Sequence, residues 1–203
     1  LSCKIIKVNT RKVNKIIKKL NNQYFATEAN KENLSFVLSI LEKFKLKKSL
    51  LIKTIKTFKG LKYRQQIIHK NSFMTIVNDS KSTSFASSVG ILKSNPNIYW
   101  LLGGMYKKDD KFDLPKRYFP NIKAFIFGKN KNFFNRQLKG KVYLENFDNL
   151  KDAFKKVLQL TKREKLSKKI ILFSPSAASF DNFKNFEDRG SYFNKLVKRY
   201  LNV

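Results

Sequence analysis

The chain has very few of the residues that build disulfide scaffolds and metal centres. Its 203 residues include one cysteine, Cys3, and one histidine, His69. A single cysteine excludes an internal disulfide and fits a reducing compartment. His69 lies in a predicted hairpin loop with no second type of metal ligand nearby, which favours a solvated side chain over a metal ligand or a general base. The sequence therefore predicts no metal centre.

The sequence also lacks a long apolar run. A membrane-spanning helix needs roughly 20 apolar residues, and the strongest apolar stretch, Ile98 to Met105, is much shorter. The first residues alternate lysine with apolar side chains and contain no uninterrupted apolar core, so we predict no signal peptide. Because the first residue is Leu1 and not methionine, we expect the chain to be a fragment of a longer protein.

Acidic residues are scarce relative to basic ones. The 44 lysine and arginine residues exceed the 14 acidic residues and give a formal net charge of +30. Such a charge is typical of proteins that bind nucleic acid or membrane surfaces. The lysines are scattered through every segment, however, and asparagine, isoleucine and phenylalanine are abundant, which indicates a global compositional bias. Nucleic-acid binding stays an alternative.

Helical periodicity dominates the first 58 residues. The apolar spacing predicts a basic amphipathic helix over residues 1 to about 20, a second helix opening at Asn30 as its N-cap, and a third over Lys48 to Phe58. The predicted core positions of these helices are, in order, Val13, Ile16, Ile17 and Leu20; Leu34, Val37, Leu38 and Leu41; and Leu50, Leu51, Ile55 and Phe58.

Strands and helices alternate after the turn at Lys59 to Arg64, so we place a domain boundary between Phe58 and Leu61. This alternation predicts a mostly parallel α/β sheet with right-handed crossovers. The predicted strands are Gln65–Ile68, Phe73–Val77, Ile98–Leu102, Ala124–Phe127, Val142–Leu144 and Ile170–Phe173, and the predicted helices begin near Ser84, Phe133 and Leu150, with a last one carrying Phe193 to Leu201.

Polar turns follow several of these strands: Asn78 to Thr83, Gly103 to Lys107, and Ser174 to Ser179. In an open α/β sheet such turns meet at the carboxyl edge, where ligands bind. Lys81, beside a helix N-terminus, suits a phosphate or a carboxylate, and Asp79 suits a metal or a ribose. Together the turns suit an anionic small molecule, although solvated βα turns would have a similar composition. No G-x-x-x-x-G-K-[ST] phosphate loop is present.

These turns resemble the motifs of the Mur ligase family. Asn78–Thr83 is similar to the family's Asn-Asp-Ser-Lys-Ala-Thr, and Leu101 to Lys107 is similar to Leu-Gly-Gly-x-x-Lys. Ser174 to Gly190 resembles Ser-Pro-Ala-x-Ala-Ser-x-Asp-x-Phe-x-x-Phe-x-x-Arg-Gly, a long and specific motif. Asn30-x-x-Asn33 and Phe58-x-Gly-Leu-x-Tyr-Arg64 resemble the end of the family's central domain and its inter-domain hinge. The resemblance covers roughly residues 27 to 200.

The resemblance implies a Rossmann-like, mostly parallel sheet flanked by helices, in a C-terminal domain over residues 59–203. Residues 1–58 would be the incomplete helical tail of the central ATPase domain. The most similar member type adds D-glutamate to UDP-N-acetylmuramoyl-L-alanine, using ATP and Mg²⁺ to form an acyl phosphate. It implies a bacterial cytoplasmic enzyme of cell-wall synthesis, monomeric and without membrane or nucleic-acid partners.

Site residues follow from the motif positions that this chain shares with the family. The resemblance implies ATP contacts at Asn30, Asn33, Arg64 and Asp79, and a D-glutamate pocket at Thr83, Lys107, Ser179 and Phe186. It places Lys81 near the transferred phosphate, where its charge would offset that on the phosphoryl oxygens. A lysine can also pair with a carboxylate, as Lys107 would here.

The chain departs from the family pattern at several positions. Tyr63 stands where many members have histidine, Met105-Tyr106 replaces a more polar pair, and Ser82, Ser176 and Ala177 are milder changes. We expect the UDP-binding domain, the phosphate loop, the Mg²⁺ ligands and the modified lysine to precede residue 1, and the chain alone to be catalytically inert. The alternatives are a folylpolyglutamate synthase-like amino-acid ligase, against which Ser174 to Gly190 argues, and a basic nucleic-acid-binding α/β domain.

Overall fold

The structure is a computed structural model that describes residues 5, 8, 11–20, 22–26, 28–44, 47–164 and 168–202. The chain divides into two compact units, Leu1–Gly60 and Leu61–Val203. Cys3 lies outside the described residues, as does the side chain of Leu20. No helix in the described part of the chain is long and apolar enough to cross a membrane.

The regular elements described in the first unit are all helical. Its elements are α1 (Arg11–Leu20), a short 3₁₀ turn (Gln23–Ala26), α2 (Glu28–Lys43) and α3 (Lys48–Thr57). They pack around a small core of Val13, Phe25, Leu34, Leu38 and Ile55. The periodicity therefore predicted three helices correctly, but α1 begins at Arg11, and Ile5 and Val8, which are described before it, are not helical.

Two predicted core positions of this unit are wrong. Val37 is 46% exposed and Leu50 is 58% exposed. Each helix buries only a narrow stripe in this small unit, as Leu34 and Leu38 do one turn apart, so an apolar residue outside the stripe stays at the surface.

The second unit is built on a six-stranded sheet of order β1-β2-β6-β3-β4-β5. The strands are β1 (Gln66–Lys70), β2 (Met74–Asn78), β3 (Ile98–Leu102), β4 (Ile122–Phe127), β5 (Tyr143–Phe147) and β6 (Lys169–Phe173). All neighbours pair in parallel except the β1–β2 hairpin at one edge. The predicted α/β class with a mostly parallel sheet is confirmed.

Helices cover both faces of this sheet because its central strands are apolar on both sides. The helices are α4 (Phe85–Ser94), α5 (Lys131–Leu138), α6 (Leu150–Arg163) and α7 (Phe186–Leu201), with a 3₁₀ turn at Lys116–Asn121. In β3 every residue is buried. Trp100 packs with residues of α4 and α5, and the neighbouring Leu101 packs with residues of α6 and α7.

One placement in the first hairpin differs from the prediction. His69 belongs to strand β1 and not to the hairpin loop, because β1 extends to Lys70 and the chain reverses at Asn71. The Asn71 side chain accepts from the backbone N–H of Met74 at 2.8 Å and closes this turn. His69 is half-buried, and its Nε2 lies 3.3 Å from the Asn71 amide nitrogen.

Candidate functional site

The three polar turns leave the carboxyl ends of β2, β6 and β3, which are adjacent in the sheet. Parallel neighbours bring their carboxyl ends to one edge, so the sequence-predicted turns lie side by side. Ser84, near which the helix was predicted to begin, is the N-cap of α4, and it forms a capping box with Ser87. The loop Asn78–Thr83 therefore ends where α4 begins.

The first turn contacts the start of α7. The Ser80 hydroxyl donates to the Phe186 carbonyl at 2.8 Å. The ammonium of the neighbouring Lys81 lies 3.9 Å from the centroid of the Phe186 ring, which is cation–π distance. The structure thus brings together Lys81 and Phe186, two predicted site residues that are far apart in sequence.

The loops after β3 and β6 are joined by their backbones. Met105 N–H donates to Ala178 O at 2.9 Å, and Ala178 N–H donates to Met105 O at 2.8 Å. This close approach requires a glycine before Met105: Gly104 has a φ of +131°, and a Cβ built there would lie 2.5 Å from Ala178 O. Ser179, the next residue along, is 3% exposed.

Lys107 lies in the same loop but is exposed. The loop is anchored on both sides of it. The Tyr106 ring stacks on Phe133 with a centroid separation of 4.0 Å, and the Asp110 carboxylate accepts the first helical N–H of α4, that of Phe85, at 2.8 Å. The Met105-Tyr106 departure therefore gives this chain an aromatic contact that holds the loop carrying Lys107.

Arg189 is fully buried behind these turns. Its Nη2 donates to the carbonyls of Ser80 at 2.8 Å and Ala177 at 2.9 Å, and its Nε donates to the Ser80 hydroxyl at 3.1 Å. One guanidinium on α7 therefore joins the turn after β2 to the turn after β6. Its Nη1 is buried with no hydrogen-bond partner.

Asp79 is also buried, and both of its oxygens accept hydrogen bonds. The Gln65 N–H donates to Oδ1 at 3.1 Å, and the Ser174 hydroxyl donates to Oδ2 at 2.9 Å. Burial raises the pKa of Asp79 to about 7, against the hydrogen bonds from Ser174 and Gln65 and the charge of Arg64. Arg64 is exposed in the turn beside it.

A cluster of buried serines continues from Asp79. Ser174 donates to the carboxylate, so the 2.6 Å contact between the Ser88 and Ser174 hydroxyls has Ser88 as donor. The Ser88 hydroxyl oxygen also lies 2.8 Å from the Ser82 hydroxyl and 2.7 Å from the Ser176 hydroxyl. Ser82 and Ser176, two residues that differ from the family pattern, therefore contact the same hydroxyl, that of Ser88.

The two asparagines predicted to contact ATP, Asn30 and Asn33, differ in burial. Asn30 is not an N-cap: it lies inside α2, is 7% exposed, and its amide donates to Tyr24 O at 2.7 Å. Helix α2 begins at Glu28, two residues before the predicted cap. Asn33, one turn along the helix, is exposed.

The described residues do not fit a magnesium site. They contain no group of three or more histidine, cysteine, aspartate or glutamate residues placed to hold a metal. Asp79 is the carboxylate nearest in sequence to Lys81, the predicted phosphate contact. Both of its oxygens accept hydrogen bonds from the protein.

Tyr63 stands in the hinge motif at the position where many Mur ligases have histidine. Its ring packs against Gly190.

Sequence reasoning gave no role to Arg189, Asp110 or Ser88. Arg189 belongs to the long motif that ends at Gly190, so its place in a specific pattern was the available signal. Asp110 and Ser88 act on residues 25 and 86 positions away, and no local pattern reports such contacts.

No family model matches the chain. Curated relatives named UDP-N-acetylmuramoylalanine--D-glutamate ligase match 84% of it: the protein of Wolbachia sp. subsp. Brugia malayi is 34% identical, that of Francisella philomiragia 34%, and that of Rickettsia felis 35%. The chain spans 34%, 41% and 38% of the lengths of these relatives. The chain is therefore a homologue of the Mur ligases, and it matches their D-glutamate ligases over about two fifths of their length.

Proposed function

We propose that this chain is part of an ATP-dependent ligase of peptidoglycan precursor synthesis, which joins D-glutamate to UDP-N-acetylmuramoyl-L-alanine. The observation that carries the proposal is the junction of separate motifs at one sheet edge. Ser80 contacts Phe186, Arg189 joins Ser80 to Ala177, and Met105 pairs with Ala178. The names of the relatives support the same reaction.

The proposed reaction has two steps. A carboxylate oxygen of UDP-N-acetylmuramoyl-L-alanine attacks the γ-phosphorus of ATP, the bond to ADP breaks, and an acyl phosphate forms. The amine of D-glutamate then attacks the acyl carbon, phosphate leaves, and the nitrogen loses a proton. These substrates place the proposed activity in the bacterial cytoplasm.

We assign this chain the amino-acid end of the site. Lys107 is exposed and free to pair with a carboxylate of D-glutamate. Thr83, the Ser179 hydroxyl and the Phe186 N–H at the start of α7 supply hydrogen-bond partners. Lys81 neutralises charge on the phosphoryl oxygens as they approach the acceptor carboxylate. Its contact with the Phe186 ring holds it next to this pocket.

We assign the ATP contacts to Asn30, Asn33, Arg64 and Asp79. Gln65, the residue after Arg64, donates its N–H to the Asp79 carboxylate, so Arg64 and Asp79 lie close together. We assign no Mg²⁺ ligand to the described residues. Residues 1–58 then belong to the ATPase domain and 59–203 to the amino-acid-binding domain.

The test is a D-glutamate titration of the ¹⁵N-labelled chain by NMR, with Lys107→Ala and Lys108→Ala compared. Lys108 is the exposed neighbour, so it controls for the loss of one surface charge. We expect saturable shifts in the wild type and in Lys108→Ala, and at least about tenfold weaker binding in Lys107→Ala. Equal affinities in the two variants would contradict the assignment of Lys107.

The net charge of +30 supports a second candidate, a nucleic-acid-binding domain. It predicts tight binding to duplex with a sequence preference that persists at high salt. Weak binding that disappears between about 50 and 200 mM salt would be the non-specific attraction of any basic surface. A fluorescence-anisotropy titration at both salt concentrations distinguishes the two.

A further inference from the structure

Arg189 carries a positive charge that is only partly offset, and at a distance, by one described carboxylate, that of Asp181. No carboxylate among the described residues lies within ion-pair distance of its guanidinium. Asp181 is the acidic group whose charge acts on it, and burial lowers the pKa of Arg189 to about 10, so the group stays charged at neutral pH. A buried charge without an ionic partner is costly, so its presence beside the polar turns calls for an anion there.

The geometry of the guanidinium agrees with this requirement. Nε and Nη2 both donate hydrogen bonds, to backbone and hydroxyl oxygens of the turns after β2 and β6. Nη1 has no partner, and it points toward the loop after β3, where a Cβ built at Gly104 would lie 3.0 Å from it. Arg189 thus contacts or faces all three turns that carry the predicted site.

The turns that Arg189 holds are those whose positions the proposed pocket depends on. Ser80 precedes Lys81, Ala177 lies two residues before Ser179, and Gly104 lies three residues before Lys107. The Ser80 hydroxyl also donates to the carbonyl of Phe186, the residue three positions before Arg189 on α7. A displaced guanidinium would therefore move each of these groups.

We propose that Arg189 is a positioning residue of this site. It fixes the three turns, and its charge, which has no ion-pair partner among the described residues, attracts the carboxylate of an amino-acid ligand. This proposal rests on the proposed function, because the ligand it names is the D-glutamate of that reaction. The guanidinium stays behind the turns and acts through them and through its field. It differs in this from Lys107, which is exposed and pairs directly.

Two substitutions separate the charge from the hydrogen bonds. Arg189→Lys keeps a positive charge but loses the planar fork of donors, and Arg189→Gln keeps amide donors but loses the charge. Arg199→Gln is the matched control, since Arg199 lies exposed on the same helix α7. Amide shift dispersion and a thermal melt establish that each variant is folded.

The readout is the dissociation constant for D-glutamate from NMR titration, with inorganic phosphate as a second probe. We expect Arg189→Gln to bind D-glutamate at least about tenfold more weakly than the wild type, Arg189→Lys within about threefold, and Arg199→Gln unchanged. The rescue by lysine is the signature of charge, because a purely structural role would weaken both variants in proportion to their lost stability.

Several results would overturn the proposal. Equal binding by Arg189→Gln and the wild type removes the charge role, and equal losses in the lysine and glutamine variants leave Arg189 as a structural residue only. Weakened phosphate binding with unchanged D-glutamate binding means that the anion is not a carboxylate. Absence of D-glutamate binding in the wild type contradicts the proposed function itself, whereas binding that ignores Arg189 contradicts this inference alone.

Discussion

Asp79 and Arg189 are the two buried charged groups at the carboxyl edge of the sheet, and the protein satisfies them in opposite ways. Asp79 accepts from Gln65 and Ser174 with both oxygens, and serines surround it. Arg189 leaves one nitrogen without a partner and faces no carboxylate at ion-pair distance among the described residues. Asp79 is therefore fixed by hydrogen bonds from the protein to both oxygens, whereas Arg189 keeps one unused donor nitrogen.

Two buried charged groups with different hydrogen bonding thus lie close together at this sheet edge. The closed corner around Asp79 fixes the turn after β2 against the turn after β6. The open guanidinium lies on the side of the Gly104 loop, which leads to the exposed Lys107. The comparison predicts that changes at the closed corner act on stability and its pH dependence, and that changes around Arg189 act on both stability and binding.

The largest expected loss of stability comes from Arg189→Met. It removes the donors to the Ser80 and Ala177 carbonyls and leaves buried acceptors unpaired, which we expect to lower the free energy of unfolding by about 3 kcal/mol. The measurement is urea unfolding, with Arg199→Met as the exposed control on the same helix, expected within about 0.5 kcal/mol of the wild type. A loss below about 1 kcal/mol for Arg189→Met would contradict the conclusion that Arg189 holds the turns after β2 and β6 together.

The next effect is a pH dependence from Asp79. Its pKa is raised to about 7 in the folded chain, so the stabilising contribution is complete below the ordinary carboxyl value near 3.8 and is lost as the pH rises through about 7. Between pH 5 and pH 7 the wild type should lose about 2 kcal/mol relative to Asp79→Asn.

Thermal melts across that range measure the effect. Asp113→Asn, which changes an exposed carboxylate of the same unit, is the control and should follow the wild type. A difference between wild type and Asp79→Asn that stays constant from pH 5 to pH 7 would show that Asp79 is not held in a closed, desolvated corner.

A smaller loss of stability is expected from substitutions in the cluster of buried serines. Ser88→Ala should cost about 1 to 2 kcal/mol because it removes the hydroxyl shared by Ser82, Ser174 and Ser176. Ser82→Ala and Ser88→Ala should be non-additive by at least about 0.5 kcal/mol. Ser94→Ala, at the end of the same helix where the hydroxyl donates to Gly90 O, is the control. Additive costs would mean that the serines act independently.

The smallest effect on folding is expected at Lys81. Lys81→Met removes a cation–π contact at a half-buried site, which is worth about 0.5 kcal/mol. Urea unfolding should therefore barely change, while the Phe186 ring resonances shift. A loss above about 2 kcal/mol would make Lys81 a structural residue and weaken its proposed role at the phosphoryl group.

Much of the α/β unit was predictable from local sequence. Strand Ile98–Leu102 is fully buried, and such a strand reads as a continuous apolar run, so its limits were predicted correctly. The polar turns after β2, β3 and β6 were placed at one edge because parallel strands impose that arrangement. The homology to the Mur ligases was likewise predicted from the motifs that these turns carry.

The remaining features depend on contacts that local patterns do not contain. Asn30 has the chemistry of a cap, but α2 begins earlier and its amide reaches Tyr24 O instead. Arg189 meets Ser80 across 109 residues, and Ser88 meets Ser174 across 86. Sequence periodicity reports which face of an element is apolar, and it does not report which polar groups a fold joins.

The most direct test of a D-glutamate pocket at this sheet edge is its preference between the two enantiomers of glutamate. The ¹⁵N-labelled chain is titrated with D-glutamate and then with L-glutamate under the same conditions. We predict saturable amide shifts at Thr83, Ser179 and Phe186 with D-glutamate and weaker, smaller shifts with L-glutamate. Identical shifts with both enantiomers, or shifts spread over exposed lysines away from these turns, would contradict the assignment of a D-glutamate pocket to this sheet edge.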